Sequence, residues 1–206
     1  MFVTNNQMRC KMKNKLFSCL LSVMCAAILP LAAEEVTVEE DSAENLLQNG
    51  SFEAPGRTGV QAANWSKGGY NPAIRTDEKA FDGKYSMKMT GDGQNYFAVR
   101  QLIPGAKLQG KSKLEVSACF FYEADLQGHY FPIYFIVAAD GKQFYPQARV
   151  RRNSDPRGQW FKAGATLDLT PYTNIRHVEI YSLGWKYGSK YFSGTVYIDN
   201  FEAFAE

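Results

Sequence analysis

From Asn45 onward, Gly, Pro, Asn and Asp interrupt this chain every few residues, and the segments between them are rich in Tyr, Phe, Val and Ile. No segment carries an apolar stripe at helical spacing between capping residues. Strand-forming stretches bounded by turn residues define an all-β chain. The spacing predicts strands near 45–53, 63–67, 72–77, 84–90, 96–103, 113–123, 131–139, 143–152, 159–168, 175–183 and 194–204. Ala138-Ala139-Asp140-Gly141-Lys142 is a hairpin signal, because Asp-Gly suits the positive φ of a tight turn. Asn49-Gly50 and Asp82-Gly83 read as similar turns. Many short strands without an internal repeat imply one β-sandwich, a jelly roll.

Arg9, Lys11, Lys13 and Lys15 precede an apolar run from Leu16 to Leu31 that ends at Ala32-Ala33. A basic segment, an apolar core and small residues at the boundary read as a secretory signal peptide over residues 1–33, with Met8 or Met12 as alternative starts. A retained anchor is the alternative, but the run is short for a bilayer span and Pro30 interrupts its end. Cleavage near Ala33 removes four of the 23 Lys and Arg and none of the 21 Asp and Glu, which leaves a net charge of −2. The apparent basicity therefore belongs to the export signal, and no argument for nucleic acid or an anionic membrane survives its loss. Residues 34–44 are acidic and lack aromatics, as a disordered tether does. Residues 45–206 are then a secreted domain, extracellular or periplasmic, with no membrane span after cleavage. Cys10, Cys19 and Cys25 leave with the signal, so Cys119 stands alone and is expected to be a buried small hydrophobe.

One side of the pattern in Gly194-Thr195-Val196-Tyr197-Ile198-Asp199-Asn200-Phe201-Glu202-Ala203-Phe204 holds Val196, Ile198, Asn200 and Glu202; the other holds Thr195, Tyr197, Asp199, Phe201 and Ala203. Asp199 breaks the apolar rule, and its burial requires a cation or a set of hydrogen-bond donors. Glu53 supplies a second carboxylate in the turn-rich Asn49-Gly50-Ser51-Phe52-Glu53. First and last strands of a sandwich are often neighbours, so Glu53 and Asp199 are expected to meet. Calcium, which takes hard oxygen ligands, is one compensating cation. Surface carboxylates satisfied by water or backbone amides are the other reading.

Asn45-Leu46-Leu47-Gln48-Asn49-Gly50-Ser51-Phe52-Glu53, Trp65, Ala80-Phe81-Asp82-Gly83-Lys84-Tyr85-Ser86, Gln101, Trp160-Phe161-Lys162 and Gly194 to Phe201 follow one order. That order resembles the carbohydrate-binding modules of families 4, 9, 16 and 22, within the galactose-binding-like jelly rolls. The resemblance covers Asn45 to Phe204 and implies a non-catalytic module that binds polysaccharide or oligosaccharide, as such modules do beside glycoside hydrolases. It also implies a structural calcium remote from the sugar, at Ser51, Glu53, Lys84 and Asp199, with Ser51 and Lys84 acting through their carbonyls.

Stacking on pyranose C–H surfaces needs aromatic faces, and hydroxyls need planar polar groups. In 143–152, Tyr145, Gln147, Arg149 and Arg151 alternate with Phe144, Pro146, Ala148 and Val150, which places aromatic, amide and guanidinium groups on one face. Tyr134 lies near them in a registered hairpin, and Glu179 and Tyr181 continue the face. An ordinary solvated sheet face is the alternative. Trp185, in Leu183-Gly184-Trp185-Lys186-Tyr187-Gly188, is a second stacking candidate on a loop that either presents or buries it. Trp65 and Trp160 read as core or edge packing.

Catalysis has thin support. His129 and His177 are the only histidines, and neither has a nucleophile arrangement nearby. Glu115, Glu123, Asp125 and Glu179 are the carboxylates from which a glycosidase pair would have to come. An adhesion or assembly module of the cell envelope, with envelope or extracellular protein partners, is the competing non-enzymatic reading; an accessory protein of a glycoside hydrolase with its own activity is the third.

Overall fold

A computed structural model describes residues 44–59, 61–69, 73–146, 149–185 and 192–206, with Trp185 described by its main chain alone. The expected export signal and nearly all of the acidic tether lie outside these residues. Turn residues and short apolar runs produce ten strands: β1 Ser66–Gly69, β2 Ile74–Thr76, β3 Ser86–Asp92, β4 Phe97–Pro104, β5 Lys113–Tyr122, β6 His129–Ala139, β7 Lys142–Phe144, β8 Trp160–Asp168, β9 Ile175–Trp185 and β10 Ser193–Ala205. They form two antiparallel five-stranded sheets, ordered β1-β4-β9-β6-β7 and β2-β3-β10-β5-β8. The protein is an all-β jelly-roll sandwich. Its single described helical element is the 3-10 turn Gly105–Leu108, and no described helix is long and apolar enough to cross a membrane.

The inner faces of the two sheets enclose Met87, Met89, Phe97, Ile103, Phe120, Tyr122, Tyr130, Phe135, Ile180 and Ile198, all nearly inaccessible. Trp65 is core, as expected: its ring lies 5.1 Å from both Phe52 and Phe201, and its indole N–H donates to the Asn49 carbonyl. Cys119 is a buried thiol.

The Asp140-Gly141 hairpin is present, with φ of 51° and 71° at its two corner residues and Ala139 opposite Lys142. Its second strand is much shorter than 143–152. It leaves the sheet after Phe144, opposite Val137, and returns as an isolated bridge between Arg149 and Ile133. The register shifts by one residue between these two pairings. A one-residue shift exchanges the faces of a strand, so Phe144 and Arg149 both sit opposite core residues while Tyr145 faces outward. The expected common face of Tyr145 and Arg149 does not exist.

A second shift lies in β10, between Asp199 and Glu202. Before it, Val196 and Ile198 face the core; after it, Phe201 and Ala203 do. The bulge, with Asn200 at φ 48°, breaks the expected single period-two pattern: Val196 and Ile198 share the core side with Phe201 and Ala203 instead of with Asn200 and Glu202.

The first predicted strand is not a strand. Residues 45–50 instead form a bend-rich segment laid beside β10: the Leu46 amide donates to the Ala203 carbonyl, and the Phe201 amide to the Gly50 carbonyl. Neighbourhood of the two ends holds; regular pairing does not.

On the outer face of the second sheet, Trp160, Phe121, Tyr197 and Lys88 stand opposite one another on four adjacent strands. The loop of residues 77–85 folds over this row. Phe81 packs 5.9 Å from Trp160, and the Lys79 ammonium lies 4.9 Å from the Phe121 ring and 5.6 Å from Tyr197. This aromatic row is therefore a seat for the loop, stabilised by edge-to-face and cation–π contacts.

Candidate functional site

The outer face of the first sheet carries a different chemistry. Alternation along β9 sends Val178, Ile180 and Ser182 inward and leaves His177, Glu179 and Tyr181 on the outer side. Register brings Arg100 of β4 and Tyr134 of β6 directly opposite Tyr181, and Leu102 and Ile136 opposite Glu179. One Arg100 nitrogen, Nη1, donates to Glu179 Oε2 and to the Tyr181 hydroxyl, 2.7 Å in each case, while that hydroxyl donates to the same carboxylate oxygen. His177 Nε2 lies 3.4 Å from Glu179 Oε1. The Tyr134 ring stands edge-on to Tyr181 at 6.4 Å, and Tyr145, 61% exposed, donates through its hydroxyl to Gln143.

Charge is tightly held here. Burial works against the Glu179 charge, but the Tyr181 hydroxyl, Arg100 and His177 outweigh it and keep the carboxyl below its ordinary range. Burial and the neighbouring Glu179 push the Tyr181 phenol up to about 12. The hydrogen bond to Tyr181 raises Arg100 in turn. The arginine side chain is 43% exposed, so guanidinium donors remain open to solvent beside half-exposed rings and the exposed Leu102. Such a surface can donate to hydroxyl groups and stack against C–H faces.

Tyr134, Tyr145 and Tyr181 are thus brought to one face. Arg149 is not: its side chain turns to the inner side of the sheet edge, where it pairs at 2.8 Å with the buried Asp155. Arg151 sits beyond the edge of the face and donates to the Gly128 carbonyl. Gln147 lies outside the described residues, and Trp185 is placed only as the last residue of β9, opposite His129. Arg100 and Leu102 were missed by the sequence reading; the signal was a charged residue within the apolar run Phe97 to Ile103. The possible glycosidase carboxylates are dispersed, with Glu179 on this face, Glu115 paired to Lys113 and Glu123 to Lys79 on the other sheet.

Glu53 and Asp199 do meet, on the 77–85 loop. Asp199, fully buried, accepts the amides of Phe81 and Asp82 through Oδ2 and of Asn200 through Oδ1, at 2.8–3.1 Å. Glu53 Oε1 accepts the amides of Lys84 and Tyr85, both at 2.8 Å. Burial pushes the Asp199 carboxyl up to about 6 against the pull of its three amides, and the Glu53 charge adds to the rise. Among the described residues, no Lys or Arg forms an ion pair with Asp199 and no three His, Cys, Asp or Glu side chains gather at one point. Two carboxylates in mutual repulsion, the buried one compensated by main-chain amides alone, fit a hard divalent cation completed by main-chain oxygens.

A scan against protein-family models finds no match, and a search of the curated proteins finds none either. Solved structures do match. The CBM22-1 xylan-binding domain of Paenibacillus barcinonensis Xyn10C is 17% identical at a TM-score of 0.52, over 79% of this chain and 95% of that one. TmCBM61, solved in complex with β-1,4-galactotriose, is 15% identical at a TM-score of 0.51, over 80% and 100%. A xylan-binding domain from CBM 22 is 13% identical at 0.52, over 80% and 96%. At these identities the likeness shows the fold: the β-sandwich of carbohydrate-binding modules.

Proposed function

We propose that residues 45–206 form a secreted, non-catalytic module that binds polysaccharide or oligosaccharide on the outer face of the first sheet. The observation that supports this is the juxtaposition of Arg100, Glu179 and Tyr181 with the rings of Tyr134 and Tyr145 on one outer face. Glu179 fixes the guanidinium and the phenol in place, which reduces the ordering cost of binding. The rings take the apolar sugar face, and Arg100 donates to hydroxyls. Trp185 would extend the contact at one end.

In the same reading, calcium bridges Glu53 and Asp199 with the carbonyls of Ser51 and Lys84, and its role is to hold the 77–85 loop against the sandwich. Bound calcium would supply positive charge between the buried Asp199 and the exposed Glu53.

Pull-down on insoluble polysaccharides followed by titration calorimetry tests the sugar site. Arg100→Ala and Tyr181→Ala each lower affinity by at least about tenfold, since each removes a charge-linked or stacking contact. Tyr145→Ala has a smaller effect, because its ring is more exposed. Retention of no glycan at all by folded wild-type protein would favour the assembly reading. Chelation lowers the melting temperature by about 10 °C in differential scanning calorimetry while glycan affinity is kept, because metal and sugar lie on opposite sheets.

A further inference from the structure

Beyond the edge of the first sheet, Gly128, His129, Val150, Arg151 and Asn153 line a recess of about 280 Å³. This is close to the lower end of small-ligand cavities, roughly 300 Å³. It is built where the returning segment rejoins β6, the Arg151 amide donating to the Tyr130 carbonyl and its guanidinium to the Gly128 carbonyl. The surrounding sequence Arg149-Val150-Arg151-Arg152-Asn153-Ser154-Asp155-Pro156-Arg157 carries four arginines and one acid. That acid is already committed: Asp155 Oδ1 accepts from Arg149 and Oδ2 from the Arg152 amide. Arg151 has no ion-pair partner among the described residues, although it is partly buried. Burial and the neighbouring Arg157 act against its charge and outweigh the opposing pull of Tyr122 and Asp155, so its pKa is lowered.

A half-buried guanidinium that is repelled by a second one, beside a carboxamide and in a recess the size of one sugar ring, is matched by an anion attached to a polar ring. We infer that the recess binds an acidic sugar, its carboxylate or sulfate paired with Arg151 and its hydroxyls with Asn153. This deepens and rests on the reading of the chain as a glycan-binding module. Arginine favours such oxyanions because its planar fork donates to two of their oxygens at once. The neutral sheet face would then hold a backbone of neutral sugars while this recess selects chains bearing acidic units.

Three small probes test it: methyl β-glucuronide, the matching neutral methyl β-glucoside and galactose 6-sulfate, each followed by amide chemical shifts in isotope-labelled protein. The glucuronide or the sulfated sugar moves the amides of Gly128, His129 and Asn153, and the glucoside does not. Arg151→Gln weakens that response about tenfold or more and leaves neutral-glycan affinity unchanged. Arg151→Lys restores part of it, and the exposed Arg157→Gln gives a smaller loss without threatening the fold. Affinity for the acidic probe falls with added salt, whereas that for neutral glycans does not.

Which acidic probe acts identifies the anion. If neither moves these amides while polysaccharide still binds at Arg100 and Tyr181, the recess inference is overturned and the sheet site stands. If an acidic probe binds there but no polysaccharide binds anywhere, the recess stands and the glycan-module reading falls. Inorganic sulfate that displaces the acidic probe with equal affinity would overturn the sugar component and leave a bare anion site.

Discussion

Asp199→Ala lowers the melting temperature by about 10 °C or more and abolishes the response to chelator. The substitution orphans the amides of Phe81, Asp82 and Asn200, which Asp199 now satisfies in a fully buried setting. At about 1–3 kcal/mol for each unsatisfied buried group, partly relieved by relaxation of the exposed loop, the loss is about 4 kcal/mol. For a domain of this size each kcal/mol shifts the midpoint by about 2–4 °C. Asp199→Asn separates the two contributions, because it keeps one acceptor oxygen and removes the charge. It is expected to lose chelator sensitivity while retaining more stability than the alanine variant. Equal chelator responses in wild type and both variants would exclude a metal at this carboxylate.

The pH response carries the same logic with a definite sign. In metal-free protein the Asp199 carboxyl titrates near 6, against 3.8 for its ordinary value, so the folded state holds a proton that the unfolded chain has released. Stability from this group is full below about 4 and falls as pH rises to about 6, by about 3 kcal/mol. Glu78, Glu179, Asp140 and Asp168 are held below their ordinary values and act in the opposite direction, but only as pH falls through the range below about 4.5. Of these five carboxyls, Asp199 alone titrates in the interval from pH 5 to 6.5. Calcium needs the ionised carboxylate, so the loaded protein gains stability over that interval while the chelated protein loses it. Melting curves in chelator that rise from pH 5 to 6.5 would contradict a buried carboxylate whose three amides do not fully offset its burial.

Gly50→Ala gives the second large effect, about 3 kcal/mol or more in urea unfolding. A β-carbon there would lie 1.9 Å from the Phe201 carbonyl oxygen and 2.9 Å from its carbon, so the main chain itself must move. Movement breaks the bond from the Phe201 amide to Gly50 and loosens the one from Leu46 to Ala203. Gly141→Ala is the control: its φ is +71° with nothing within 4 Å, so it pays only the left-handed backbone cost of about 1–2 kcal/mol. Equal losses in the two variants would show that the 45–50 segment is not clamped on β10.

Much of the sandwich could be read from turn chemistry. Asp140-Gly141 located its hairpin, and Glu53 and Asp199 met as their placement near the ends predicted. The two register shifts differ in how visible they were. In β10 an unbroken alternation would drive Asn200 and Glu202 into the core and Phe201 and Ala203 out of it, a conflict that betrays the bulge. In 143–152 the alternation of Tyr145, Gln147, Arg149 and Arg151 is faultless as written, so nothing in the pattern reveals that the chain leaves the sheet after Phe144. Tertiary pairing of Arg149 with Asp155 decides it. Arg100 stayed hidden for a related reason: its partners Glu179 and Tyr181 are distant in sequence, and only strand order brings them together.

β10 is the middle strand of its sheet, hydrogen-bonded to β3 on one side and β5 on the other, and residues 45–50 lie against it as well. A nascent polypeptide still lacking residues 193–205 consequently has two raw edges, no seat for its leading segment and no cover for half of its interior. Such long-range closure makes maturation slow and all-or-none. The sandwich therefore cannot set until β10 is in place between its two neighbours.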